Sequence, residues 1–199
     1  MSSLAPTTAP APLRALTALD DFSEDMYGVN VVEVTNKGIV SVAIPNASKA
    51  AFSKAVTKSY KVDLPEVGLF TQSKTNNTRF LGLQQDQLFV LFDYAGDRAV
   101  DEISAKVNSD KQLVYLSDQS DSWVTLNVSG ENCLAALERI CSIDIHPDSF
   151  PVGSVARTSM EHMATIIIHE SEGSYLLLSL RSFAHSFLHA VTTSIKNVS

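Results

Sequence analysis

Val29-Asn30-Val31-Val32-Glu33-Val34-Thr35-Asn36-Lys37-Gly38-Ile39-Val40-Ser41-Val42-Ala43-Ile44 sets two β-branched runs on either side of Thr35-Asn36-Lys37. β-Branched side chains fit the pleat of a strand, and the polar triplet supplies turn chemistry, so the stretch predicts a hairpin. Pro45-Asn46 follows as a helix opening with Asn46 placed to cap it, and Phe52, Ala55, Val56 and Tyr60 recur at helical spacing on one face. The first module therefore starts β-β-α.

The same order returns in the second half. Leu113-Val114-Tyr115-Leu116 and Trp123-Val124-Thr125-Leu126-Asn127-Val128 flank a polar stretch, then Ser129 stands as a cap before a helix whose stripe is Cys133, Leu137, Ile140 and Cys141. A similar phrase follows each helix, Val62-Asp63-Leu64-Pro65 and Ile143-Asp144-Ile145-His146-Pro147, in which proline holds its predecessor extended. Each half then predicts a second hairpin, Arg79-Phe80-Leu81-Gly82-Leu83 with Leu88-Phe89-Val90-Leu91-Phe92, and Ala164-Thr165-Ile166-Ile167-Ile168 with Tyr175-Leu176-Leu177-Leu178. Near-continuous apolar strands imply cover on both faces. Closing helices are expected over residues 98–107, with Val100, Ile103 and Val107 inward, and from Ser182, with Phe183, Phe187, Val191 and Ile195 inward. The expected fold class is α+β, two tandem β-β-α-β-β-α modules over residues 20–110 and 111–199, offset by roughly eighty to ninety positions.

At 199 residues and 45% hydrophobic content, the chain can bury about 70% of its unfolded surface, enough for a compact pseudo-duplicated unit. Residues 1–19 differ. Three prolines within the first twelve positions favour a disordered or extended tail. A formal net charge of -7 provides no basic stripe, so nucleic acid and anionic membrane are not expected partners. The two cysteines, Cys133 and Cys141, are spaced as two turns of one helix rather than as a disulfide framework, which points to a reducing, cytoplasmic setting. The N-terminus reads as no secretory signal, and the apolar runs are too short for a membrane span.

Strong chemical motifs are absent from the pattern. The eight glycines are so spread that the nearest two, Gly28 and Gly38, stand ten positions apart, which excludes a Rossmann or P-loop phosphate cradle. His185 and His189 sit four apart on the closing helix; they could share a metal, but a solvent- or partner-facing position is the simpler account. Glu161-His162 and His169-Glu170 flank a strand, and neighbours there point to opposite faces, so both pairs are expected on a polar hairpin rim. Cys133 and Cys141 read as inert core residues. Asp20-Asp21-Phe22-Ser23-Glu24-Asp25 could bind a cation or form a charged docking surface, but a solvated start to the fold is the commoner use of such a run. No catalytic, cofactor-binding or metal-ligating residue is therefore assigned.

Cys141-Ser142-Ile143-Asp144-Ile145-His146-Pro147-Asp148-Ser149-Phe150-Pro151-Val152-Gly153, with Ala156-Arg157-Thr158 beyond it, resembles the signature segment of sarcosine oxidase γ subunits. Arg181-Ser182-Phe183-Ala184 and Val128-Ser129-Gly130 add to the likeness, which covers residues 113–195 well and the N-terminal half in its order of elements. The resemblance implies a fold related to the folate-binding aminomethyltransferases and a structural, non-catalytic subunit of a heterotetrameric oxidase that turns sarcosine into glycine with release of hydrogen peroxide. It implies α, β and δ subunits as partners, with FAD, FMN, NAD and tetrahydrofolate in the larger subunits and zinc in another small one. The alternative is a free-standing folate-binding protein of one-carbon metabolism, but Pro151-Val152-Gly153-Ser154-Val155-Ala156-Arg157 lacks the lysine and cysteine of that group's loop. Three residues are interface candidates. Arg157 and Arg181 can form bidentate ion pairs across an interface or satisfy local groups, and Trp123 can anchor an interface or cap the core.

Overall fold

The computed structural model describes residues 16–108 and 111–198, so most of the expected tail lies outside the described residues. In the first half lie β1 (Ser23–Met26), β2 (Val29–Glu33), β3 (Lys37–Ala43), α1 (Lys49–Tyr60), β4 (Phe70–Gln72), β5 (Arg79–Gly82), β6 (Gln87–Asp93) and α2 (Ala99–Val107). The second half supplies β7 (Tyr115–Asp118), β8 (Trp123–Gly130), α3 (Cys133–Glu138), β9 (Val155–Met160), β10 (Met163–Ser171), β11 (Ser174–Leu180) and α4 (Ala184–Lys196). The class is α+β, with one strand more in each half, β4 and β9, than the hydrophobic pattern shows, and β1 ahead of both.

Neither leading pair is a hairpin. β2 pairs with β8 and β3 with β6 and β7, in two antiparallel sheets ordered β1-β2-β8-β11-β10-β9 and β4-β5-β6-β3-β7. Each half thus lends its first strand to the sheet of the other. β2 buries alternate residues on one face, whereas β3 and β8 bury three consecutive residues each and so are covered on both faces. A local hairpin would offer the same backbone bonds; drawing that neighbour from the other half instead ties the two halves together around one core between the sheets.

Apart from β1, strands of equal rank hold equal places, so the halves are related by a pseudo-two-fold axis. Hydrogen bonds repeat accordingly. At one end of the strands Val34 N–H donates to Thr125 O and Gln119 N–H to Ile39 O, both at 2.8 Å. At the other end Phe70 N–H donates to Gly153 O at 2.9 Å and Val155 N–H to Gly68 O at 2.8 Å.

The layers run helix, sheet, sheet, helix. Phe52, Val56, Tyr60, Ile103 and Val107 of α1 and α2 pack on Val40, Val42, Phe80 and Val90. Leu137, Phe187, Val191 and Ile195 of α3 and α4 pack on Val31, Leu126 and Val128. Between the sheets, Ile39, Leu81, Phe89 and Leu91 meet Val155, Ile166, Ile168, Leu176 and Leu178. Strand alternation does this sorting, since Ile167 faces the helices while Ile166 and Ile168 face the other sheet.

Some local expectations change. α3 ends at Glu138, so Cys141 lies past the helix, in a bridge with Met160. Phe183 falls in a 3-10 turn before α4 and is 44% exposed rather than core, because the turn rotates it off the stripe. Asn46 opens a 3-10 turn and makes no capping bond, and Ser129 stays within β8. Among the described residues no helix is long and apolar enough to cross a membrane.

Because each sheet takes a strand from the other half, fragments 1–110 and 111–199 produced separately are each expected to lack a cooperative unfolding transition and to regain one on mixing. Circular dichroism melts check this, and a fragment that unfolds cooperatively alone would count against the exchange as a stabilising device.

Candidate functional site

Alternation along β10 sends His169 and Glu170 to opposite faces, and both are engaged. His169 is 1% exposed, on the helix side, stacked 4.4 Å from the Tyr175 ring with Phe150 parallel at 6.4 Å. Its Nδ1–H donates to Phe150 O at 2.7 Å, which leaves Nε2 buried without a hydrogen-bond partner. Glu170 enters the seam between the sheets, where it pairs with the Arg79 guanidinium and accepts from Asn127 Nδ2 at 2.9 Å. Arg79 also donates to Gln72 at 3.2 Å. The pair therefore stands inside the fold rather than on a hairpin rim: β10 is flanked by β9 and β11 as far as His169, and the Glu170 side chain is covered by Arg79 and Asn127. Glu161 and His162 do form an exposed turn, with φ of 46° and 66°, between β9 and β10.

The three interface candidates converge on Phe89 and one cleft. Trp123 meets the Phe89 ring edge-on at 5.9 Å, and the Arg157 guanidinium lies 5.5 Å from the same ring. Trp123 Nε1 is buried with no partner among the described residues. Arg181 donates to Leu16 O at 2.6 Å. The segment after Leu16 is tied down by the buried Glu33 carboxylate, which accepts from Ala18 N–H at 2.9 Å and Asp21 N–H at 3.0 Å. This strap crosses a cleft of about 280 Å³ to which Lys37, Ser120, Trp123 and Arg181 contribute. Arg181 and Trp123 are thus held by their own chain, while Arg157 is exposed on β9.

Metal-ligating and nucleophilic types do not assemble. His185 and His189 are exposed on α4, beside Glu24 of β1. Among the described residues no group of three or more His, Cys, Asp or Glu could hold a metal ion. Burial pushes both thiols above the ordinary cysteine value, and Cys133 Sγ–H donates to Gly173 O at 3.2 Å. The acidic cluster includes β1, an exposed edge strand whose carboxylates discourage further pairing.

One feature escaped the sequence reading although its signal was there. Val67-Gly68 and Val152-Gly153 repeat a dipeptide about 85 positions apart, before β4 and β9. The two steps meet at the pseudo-axis, where Leu69 and Ser154 form an antiparallel bridge. Val67, Leu69 and Val152 are 54%, 43% and 55% exposed, three of the eight large exposed hydrophobic side chains among the described residues.

The chain is similar to known proteins in sequence pattern and in fold. The pattern described as "Sarcosine oxidase, gamma subunit family" matches residues 45–195. A chain of the heterotetrameric sarcosine oxidase from Corynebacterium sp. U-96, solved in complex with pyrrole 2-carboxylate, is similar in structure with a TM-score of 0.72 and 21% identity, over 86% of this chain and 85% of that one. The glycine cleavage system aminomethyltransferase T from Bartonella henselae is similar with a TM-score of 0.57 and 10% identity, over 82% of this chain and 45% of that one. At these identities the likeness concerns fold. No curated protein matches the chain in sequence.

Two measurements check the engaged state of these groups. Native protein at pH 8 is expected to react slowly with a thiol reagent at both cysteines and rapidly once denatured, since raised pKa values leave little thiolate. Arg79→Leu is expected to lower unfolding stability by about 2 kcal/mol in denaturant titration, because it strands the Glu170 carboxylate.

Proposed function

The chain belongs to the sarcosine oxidase, gamma subunit family, and from that premise we propose that it is a structural, non-catalytic γ subunit docked on larger subunits that carry the chemistry. The observation that carries the reading is the span of the match, which takes in α1 to α4 and every strand from β4 to β11 and so crosses the pseudo-two-fold axis. In this reading the partners are the α, β and δ subunits. The assembly oxidises sarcosine to glycine, reduces oxygen to hydrogen peroxide, and releases the methyl carbon as formaldehyde or passes it to tetrahydrofolate.

FAD, FMN, NAD and the folate belong in this reading to the larger subunits, and zinc to another small one. The residues of this chain do not fit a dinucleotide. The strand-to-helix connections carry Pro45-Asn46 before α1 and Arg181-Ser182 before α4, and a single glycine each before α2 (Gly96) and α3 (Gly130), where a phosphate cradle needs closely spaced glycines. The most reactive side-chain types support the reading in a second way: Cys133, His169, Glu170 and Arg79 are all engaged in internal contacts. Arg157, exposed beside Phe89, is the interface candidate among the three named from sequence.

Purified alone, the chain is expected to show neither flavin absorbance nor sarcosine-dependent oxygen uptake, and co-expression with the larger subunits is expected to restore both in one complex. Arg157→Ala is expected to weaken that co-purification severalfold. Flavin retained by the isolated chain, or no association with any larger subunit, overturns the reading.

A further inference from the structure

We propose that the loops at residues 62–69 and 143–154, joined on the pseudo-axis, form the surface that receives a larger subunit, and that the occupant is an apolar segment flanked by lysine or arginine. The inference rests on the γ-subunit reading and deepens it by naming the surface and the chemistry of what covers it.

The centre of the surface is apolar and stiff. Val67, Leu69 and Val152 are exposed, although the two loops that carry them are locked to each other by the Leu69 to Ser154 bridge and by the reciprocal Phe70 and Val155 hydrogen bonds. Exposed apolar residues scattered singly need no explanation, but three on two loops bonded to each other in a rigid frame match the core of an interface, with little ordering cost on binding. Between these side chains the backbone is bare. Gly68 and Gly153 have φ of +90° and +98°, and a Cβ at either would meet nothing within 4 Å, so a partner can approach the main chain itself.

Beside Val67 a cleft of about 740 Å³ opens between α1, the 64–67 segment and the β5–β6 turn. Ile44, Leu64, Pro65 and Leu88 line it, which suits one or two aliphatic or aromatic anchors from the partner. On the two loops that frame this apolar centre the formal charge has one sign. The two loops carry Asp63, Glu66, Asp144 and Asp148 and no lysine or arginine. The Ser149 hydroxyl, at 2.6 Å, and the His146 N–H, at 2.9 Å, hold the Asp144 carboxyl below the usual carboxylate range, so it stays ionised. Lys49 stands at the cleft wall on α1, and Arg157 is turned over Phe89. An acidic rim around an apolar centre selects a basic-flanked partner and steers its approach.

The full chain, titrated into the larger-subunit assembly lacking it, is the test. Val67→Ser with Val152→Ser is expected to weaken binding at least about tenfold without moving the thermal midpoint, while Tyr115→Ser with Phe183→Ser, on exposed apolar residues elsewhere, leaves affinity unchanged. Glu66→Lys with Asp148→Lys is expected to slow association, and the wild-type rate to fall as salt is added. Wild-type affinity in the Val67/Val152 variant overturns the surface, as does a chain that is dimeric alone and becomes monomeric in that variant, since its occupant is then a second copy. A salt-independent rate overturns the basic-flanked occupant. If the wild-type chain binds no larger subunit at all, it is the γ-subunit reading that fails.

Discussion

Val34 and Gln119 hold equivalent places in the two halves, and each donates its backbone N–H across the pseudo-axis, to Thr125 and to Ile39. These bonds mark the points where the chain leaves one sheet for the other, and everything else in the architecture follows from that crossing. β3 and β8 become interior strands, each flanked on one side by a strand of the opposite half. The third core, between the sheets, can then be filled from both halves, with Phe89 and Leu91 against Ile166 and Leu176. Two duplicated units that merely touched would bury such a seam as an interface; units that share strands bury it as a core.

The same crossing decides where polar groups go. Glu170 and Arg79 come from different halves and meet in the seam, with Asn127 adding a third side chain from β8. A carboxylate in that setting is tolerable because it is paired and hydrogen-bonded, and the resulting contact ties β5, β8 and β10 together. His169, one residue earlier, packs toward the helices instead, against Phe150 and Tyr175. Residue types that suggest acid–base chemistry in a linear reading thus serve cohesion in the folded chain.

Shared fold does not carry activity across families, and the likeness to an aminomethyltransferase is informative for topology alone. What distinguishes this chain is at its surface. The repeated Val-Gly step produces an exposed apolar spot on the symmetry axis, where two equivalent loops stiffen each other through main-chain bonds. A preformed frame of this kind loses little freedom when another surface covers it.

Hydrophobic periodicity by itself determined the α+β class, the duplication, the four helices and the runs that become β2, β3, β5, β6, β8, β10 and β11, since alternation and helical spacing are properties of local sequence. The segment from Cys141 to Gly153 likewise carried the family in its own residues. Only the tertiary structure decided which strand pairs with which. A β-branched run is satisfied by any antiparallel neighbour, and β2 pairs with β8, far along the chain, rather than with β3 across the short turn at Thr35-Asn36-Lys37. Short, half-exposed strands such as β4 and β9 left little periodic signal, and the burial of His169 and pairing of Glu170 depended on neighbours contributed from distant segments. Local pattern sets what an element is, whereas the partner that completes its backbone bonds and covers its faces is settled only when the whole chain has packed.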